Sequence, residues 1–276
     1  MKYKVGMMGF DLDGTLLNSK KELTERTRKA LEKAAGRGIE ILPVTGRPLC
    51  GLPEEIRNFP GMRYAITANG ARILDIRTGE VLRERLIDAQ VGERLLHIFD
   101  KYDAMREIYY DGIGYIERSA LERVEHFLPG SPMVGYIRST RVAVDNLWDK
   151  LREENRALDK VQGLFADLKE REQALAEIQK LQGVEATNAL VNNIEVNAGG
   201  VNKGEAMLWL ADILGIPAEE SMGFGDGGND LAFMKYAGVG VAMKNGREDV
   251  KEMADTVTEY TNDEDGIAIF IENHVL

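Results

Sequence analysis

The chain predicts an α/β fold: a parallel sheet with helices on both faces, interrupted by an inserted α+β segment. Three observations carry this. Apolar, strand-like runs alternate with helical stretches over the first 80 residues, the alternation is lost near residue 86, and it resumes after about residue 197. Strands separated by helices cannot pair through tight hairpins, so they lie parallel with both faces covered.

Residues 4–10 form the first apolar run and end in Asp11-Leu12-Asp13-Gly14-Thr15. A helix is expected from Thr24, a good N-cap, to Gly36 and Gly38, good stop residues. Residues 39–44 are the second strand, ending in Thr45-Gly46-Arg47-Pro48, and residues 64–68 the third, ending in Asn69-Gly70. In open α/β sheets, ligands bind at the carboxyl ends of the strands, which is where these polar and glycine residues fall.

The insert reads differently. Residues 93–102 are amphipathic. Asp111-Gly112, between Ile108-Tyr109-Tyr110 and Ile113-Gly114-Tyr115-Ile116, is a hairpin turn that needs positive φ. Strand-like runs recur at 161–165 and 192–196. A helix then opens at Lys203, with Asn202 and Glu205 in capping-box spacing. Residues 222–225 and 239–243 are strands, and residues 266–273 a closing helix. The expected division is residues 1–85 with 197–276 as one sheet domain and 86–196 as an inserted cap.

Composition narrows the class of function. The 276 residues are 44% hydrophobic and 29% charged, which excludes a disordered or collagen-like chain. No apolar run is long enough for a membrane span, and the N-terminal one is too short for a secretory signal, so a cytoplasmic protein is expected. One cysteine excludes a disulfide framework. The net charge of −11 argues against nucleic acid as a partner. It is uneven: +5 over residues 1–85, −6 over 86–196 and −10 over 197–276.

Four segments carry candidate chemistry. Asp11 and Asp13 stand two apart after a buried strand, with small residues that let backbone N–H groups approach a phosphate. Thr45, Gly46 and Arg47 offer a hydroxyl, a backbone N–H and a charged fork at a second strand end. Lys203 opens a helix, where a cation runs against the dipole unless an anion is near. Asp226 and Asp230 flank Gly227-Gly228-Asn229 at a further strand end, and such carboxylates suit a hard cation. Each alone has a plain reading as a turn, a loop or a surface lysine. Four together at strand ends and helix starts are harder to dismiss.

With Phe10-Asp11-Leu12-Asp13-Gly14-Thr15-Leu16, Val44-Thr45-Gly46-Arg47, Gly200-Val201-Asn202-Lys203-Gly204 and Gly225-Asp226-Gly227-Gly228-Asn229-Asp230 in order, the chain resembles the haloacid dehalogenase superfamily. The insert resembles the C2B cap of its Cof-type, subclass IIB branch. The resemblance implies a Rossmann-like core and a Mg²⁺-dependent phosphatase acting on small phosphorylated metabolites, foremost sugar phosphates. It implies Asp11 as nucleophile and Asp13 as acid and base. Mg²⁺ would be held by Asp11, the Asp13 main-chain carbonyl, Asp226 and, directly or through a water, Asp230. Leu12, Thr45, Gly46, Arg47, Lys203 and Asn229 would bind phosphate or substrate. A sugar phosphomutase and a non-catalytic phosphometabolite sensor are the competing readings. The partner expected is a small molecule, with no nucleic acid or membrane, for a monomer or homodimer. His97, His126, His274, Cys50, Trp148 and Trp209 fall outside the motifs and are read as packing or surface residues.

Overall fold

In a computed structural model, which describes residues 2–276, the chain separates into two compact units. The first comprises residues 2–46, Leu52–Glu84 and Asn202–Leu276; the second comprises Arg47–Gly51 and Arg85–Val201.

The first unit is built on five parallel strands in the order Thr256–Val257, Val239–Ala242, Ser221–Gly225, Met7–Phe10, Glu40–Pro43. Parallel bridges Ile41 to Met62 and Val44 to Ile66 carry the sheet on to Tyr64–Thr67. That strand then opens an antiparallel hairpin sheet with Arg72–Asp75 and Glu80–Glu84. Met7–Phe10 is buried throughout, as a central strand with both faces covered must be. Strand alternation assigns its residues to two helical layers. Phe10 stacks on Phe224 at 4.8 Å between centroids, and Phe224 meets Phe270 of the helix Gly266–His274 edge-on at 5.5 Å. On the opposite face Met7 packs with Met207, Leu210 and Phe233, from the helices Lys203–Ile213 and Leu231–Tyr236.

Local chemistry sets the helix starts. Thr24 caps Glu25–Gly36 by accepting from the Thr27 N–H, and Asn202 caps Lys203–Ile213 by accepting from the Glu205 N–H at 2.8 Å. The hairpin sheet over residues 72–84 was not among the expected elements; its strands are short and the last is charge-rich and partly exposed.

The second unit is a six-stranded sheet ordered Val184–Thr187, Asn193–Ala198, Lys160–Phe165, Ala104–Tyr110, Ile113–Glu117, Arg141–Val144. Every pairing is antiparallel except that of Ile113–Glu117 with Arg141–Val144. Asp111 and Gly112 turn the expected hairpin with φ of 50° and 73°. One sheet face, with Ile108, Tyr110, Val161 and Ile194, forms a core with Leu95, Phe99, Leu151 and Ile178 from the helices Ala89–Phe99, Leu147–Glu154 and Leu168–Ile178. Arg47–Gly51 groups with Arg85–Val201 in this unit. There the Cys50 N–H donates to the Gly112 carbonyl, and the Arg47 guanidinium lies 4.4 Å from the Tyr136 ring centroid. Among the described residues, no helix is long and apolar enough to cross a membrane.

The central strand tolerates little added volume. A Cβ at Gly9 would lie 2.8 Å from Phe233 Cζ and Val44 Cγ2 and 2.9 Å from Met207 Sδ. Overpacking of this kind costs about 1–3 kcal/mol. Gly9→Ala is expected to lower unfolding stability by about that amount in urea titrations monitored by circular dichroism, whereas an unchanged midpoint would show that the two helices can retreat at no cost.

Candidate active site

The carboxyl ends of Met7–Phe10 and Ser221–Gly225 lie side by side, and the segments that leave them build one buried cluster. Asp11 follows the first strand directly and is tied to its neighbour by an N–H bond of 2.9 Å to the Phe224 carbonyl. The chain then turns back on itself, with Leu16 and Leu17 donating to the Asp11 and Leu12 carbonyls at 3.1 and 2.9 Å. Gly14 permits this turn for two reasons. Its φ is +86°, and a Cβ there would sit 2.4 Å from Asp226 Oδ2.

Lys203 sits at the centre of the cluster and is fully buried. Its Nζ donates to Asp11 Oδ1 at 2.6 Å and to Asp230 Oδ1 at 2.7 Å. The other oxygen of Asp230 accepts from the backbone N–H groups of Asp226 and Gly227, at 3.0 and 2.9 Å. Asp230 therefore folds the loop that presents Asp226. Gly225 makes room for it, since a Cβ there would lie 2.4 Å from Asp230 Cγ. Asp226 Oδ1 accepts from Thr15 Oγ1 at 2.6 Å.

Asp11, Asp226 and Asp230 each bring a carboxylate oxygen within 4.8 Å of the others. Three carboxylates face one ammonium, so the ionised cluster carries a charge of −2 in a buried place. Burial pushes the Asp11 carboxyl up to about 7, helped by Asp230 and Asp13 against the pull of Lys203. Burial likewise raises Asp226 well above the usual carboxylate range, with Asp11 and Asp230 adding to it. Lys203 is raised despite its burial, because its two carboxylate partners hold the proton on. Hard oxygen donors with an uncompensated double negative charge suit a small divalent cation.

The remaining expected residues are placed as follows. Asp13 lies outside the carboxylate cluster, and its side chain pairs with Lys21 Nζ at 2.7 Å. Leu12 is buried. Thr45 is buried at its strand end. Its N–H donates to the Ile66 carbonyl, and its own carbonyl accepts from the Asn69 N–H at 3.0 Å. Asn229 Nδ2 donates to Asn69 Oδ1 at 3.1 Å, which links the loop after Tyr64–Thr67 to the one carrying Asp230. Ala68 and Asn69 both hold positive φ, 48° and 60°, a strained turn of the sort found where function fixes the backbone. Arg47 is buried and groups with the second unit; it donates to the Gly51 carbonyl at 2.9 Å, and its guanidinium lies over the Tyr136 ring.

Thr15 and Lys21 were not among the candidate residues. Thr15 belongs to the first motif and could have been found there. Lys21 lies eight residues from its partner, with nothing in the local pattern to mark it. Asn245 braces the first loop by donating to the Gly14 carbonyl at 2.7 Å and accepting from the Asn262 N–H at 3.0 Å.

Comparison with known proteins gives this geometry a family. A sequence model of the haloacid dehalogenase-like hydrolases matches residues 8–271. The 5-amino-6-(5-phospho-D-ribitylamino)uracil phosphatase YcsE of Bacillus subtilis is 32% identical over 275 residues, covering 99% of this chain and 96% of YcsE. The phosphatase YwpJ of the same organism is 30% identical over 279 residues, covering 95% and 97%. Among solved structures, a haloacid dehalogenase-like hydrolase from B. subtilis matches with a TM-score of 0.86 at 29% identity, covering 99% of this chain and 100% of that one. The subclass IIB sugar phosphatase BT4131 matches at 0.81 and 26% identity, covering 97% and 98%. On these matches the chain belongs to the haloacid dehalogenase-like hydrolases and, within them, to the Cof-type phosphatases of subclass IIB.

Proposed function

We propose that the protein is a Mg²⁺-dependent phosphatase that hydrolyses small phosphorylated metabolites, sugar or polyol phosphates foremost, through an aspartyl-phosphate on Asp11. The observation that carries this reading is the cluster of three carboxylates at Lys203, −2 when fully ionised, at the carboxyl edge of a parallel sheet. A pure binder of phosphate would gain nothing from this arrangement, since bare carboxylates repel phosphate.

Asp11 and Asp226 would hold the cation, with the Asp13 main-chain carbonyl, and Asp230 would act on it through the loop that it folds. Bound there, Mg²⁺ neutralises charge on the carboxylates and on the phosphoryl group. Asp11, held by Lys203, attacks phosphorus in line; its oxygen bonds to phosphorus as the bond to the leaving alcohol oxygen breaks. Asp13 gives its proton to that oxygen. It then takes one from the water that cleaves the acyl phosphate, which regenerates Asp11 and releases inorganic phosphate. Lys203 neutralises charge on the transferring group, while Thr45, Asn229 and the N–H groups near Leu12 orient it. Positioning and charge neutralisation are what phosphoryl transfer requires of a protein. The substrate class draws on the relatives: YcsE is named for a phosphorylated ribityl compound and BT4131 as a sugar phosphatase.

Asp11→Asn is expected to lower phosphate release from a phosphomonoester by on the order of 10³-fold or more with the circular dichroism spectrum unchanged. Turnover within tenfold of the parent would remove Asp11 as nucleophile. Adding Mg²⁺ to chelator-treated protein is expected to raise the thermal midpoint, because a ligand that binds only the folded state stabilises it. It should also restore activity. The thermal shift should vanish in Asp226→Asn; an equal shift in that variant would put the cation elsewhere.

A further inference from the structure

Within the first unit, the loop over residues 18–22 holds Lys21 in a conformation that residues other than glycine seldom adopt. Its φ is 67°, in the left-handed region. The surrounding bonds fix it there. The Lys21 N–H donates to the Asn18 carbonyl at 2.8 Å, and the Asn18 N–H donates to the Glu22 carbonyl at 3.0 Å. Asn18 Oδ1 accepts from the N–H groups of Lys20 and Glu22, both at 2.9 Å. Residues from the far end of the chain tie the loop down. Ser19 donates its N–H and its hydroxyl to the two oxygens of Asp263, at 2.7 and 2.6 Å, and Asn262 Nδ2 donates to the Leu17 carbonyl at 3.0 Å.

This scaffold delivers the Lys21 ammonium to the second aspartate of the first motif. Nζ donates to Asp13 Oδ1 at 2.7 Å. Stability does not account for the contact. The two side chains are 27% and 28% exposed, and ion pairs so open to water contribute little. A lysine held in the left-handed region costs more than such a pair contributes. Aim does account for it. A partly exposed carboxyl turns about two side-chain dihedrals unless something holds it, and proton transfer needs its oxygen within about 2.6–3.2 Å of the atom it serves.

We propose that Lys21 is a positioning residue for Asp13 in phosphoryl transfer. Nζ donates to Oδ1 whether Asp13 is protonated or ionised, since either form keeps a lone pair there. Lys21 therefore holds the carboxyl through both chemical steps. Meanwhile Oδ2 gives its proton to the leaving alcohol oxygen and later takes one from the hydrolytic water. Lys21 itself touches neither phosphorus nor its oxygens. The inference rests on the phosphatase reading above, which assigns the proton transfers to Asp13, and adds the group that aims it.

The test uses the Mg²⁺-loaded full-length protein and two aromatic esters of similar size. Benzyl phosphate has a leaving alkoxide that must be protonated; p-nitrophenyl phosphate has a leaving phenolate that need not be. The quantity compared is kcat/KM, which reports transfer to Asp11 and excludes the later hydrolysis. In Lys21→Met the ratio of benzyl to p-nitrophenyl phosphate is expected to fall about tenfold, part of the roughly 10²–10⁴-fold that a general acid supplies. Lys21→Arg, which keeps a charged donor, is expected to restore the ratio to within about threefold of the parent. Lys21→Gly relieves the left-handed backbone, so it should lose the ratio as Lys21→Met does while its thermal midpoint does not fall. The inhibition constant for inorganic phosphate should stay within about twofold of the parent in each variant. Equal losses on both esters in Lys21→Met and Lys21→Gly, or a ratio within about twofold of the parent in both, overturn the inference. So does a ratio in Lys21→Arg as low as in Lys21→Met. A phosphate inhibition constant raised about tenfold would make Lys21 a phosphate ligand and overturn it too. Asp13→Asn checks the reading underneath and should lower the ratio further than Lys21→Met. An unchanged ratio there removes the acid role of Asp13, and a parent that hydrolyses neither ester removes the phosphatase reading; the inference falls with either.

Discussion

The first unit's site depends on one buried ammonium. Lys203 is the first residue of its helix, where the dipole disfavours a cation, and it is wholly buried, where any lone charge is costly. Both costs are met by Asp11 and Asp230, which close on Nζ at 2.6 and 2.7 Å. Those carboxylates come from opposite ends of the chain, so the ion triad joins the loop after the first strand to the loop after Ser221–Gly225. The surplus charge left over when all three carboxylates are ionised is what suits the cluster to the divalent cation proposed above.

Small residues around the triad are the complement of that constraint. Gly14 clears Asp226, Gly225 clears Asp230, and Gly9 clears the helix side chains under the first strand. Thr15 and Asn245 brace the two loops against each other. A further chain of contacts runs from Thr45 through Asn69 to Asn229, so three strand-end loops are set in position by hydrogen bonds that do not involve the triad. Rigid support of this kind is what phosphoryl transfer needs, since misplacement of a charged group by about 1 Å can cost on the order of 100-fold in rate. The overall charge of −11 takes on a different sense beside this arrangement. It would not draw the proposed anionic substrate inward, so under that reading attraction is local, from the proposed cation, Lys203 and backbone N–H groups.

Much of the fold was legible in the sequence because its causes are local. Thr24 and Asn202 mark helix starts by capping, Asp111-Gly112 marks a hairpin by its tolerance of positive φ, and the fully apolar Met7–Phe10 marks a doubly covered strand. The elements that escaped lack such marks. The strands Arg72–Asp75 and Glu80–Glu84 are short and polar at their ends, and Arg118–Glu122, Val124–Phe127 and Met133–Thr140 are helices too brief to show a period. Lys21 beside Asp13, and Asn69 beside Asn229, are meetings between residues whose neighbours in sequence say nothing of each other.

The sequence by itself determined the alternating α/β order, the four motifs and therefore the family, because each depends on residues close together in the chain. Tertiary structure decided how the carboxylates share their partners. Asp230 spends both oxygens on Lys203 and the loop N–H groups, Asp226 is held by Thr15, and Arg47 turns to Tyr136. It also decided that five polar residues from three strands share one buried face in the second unit. Strand register and burial set these outcomes, and both arise only when distant segments pack.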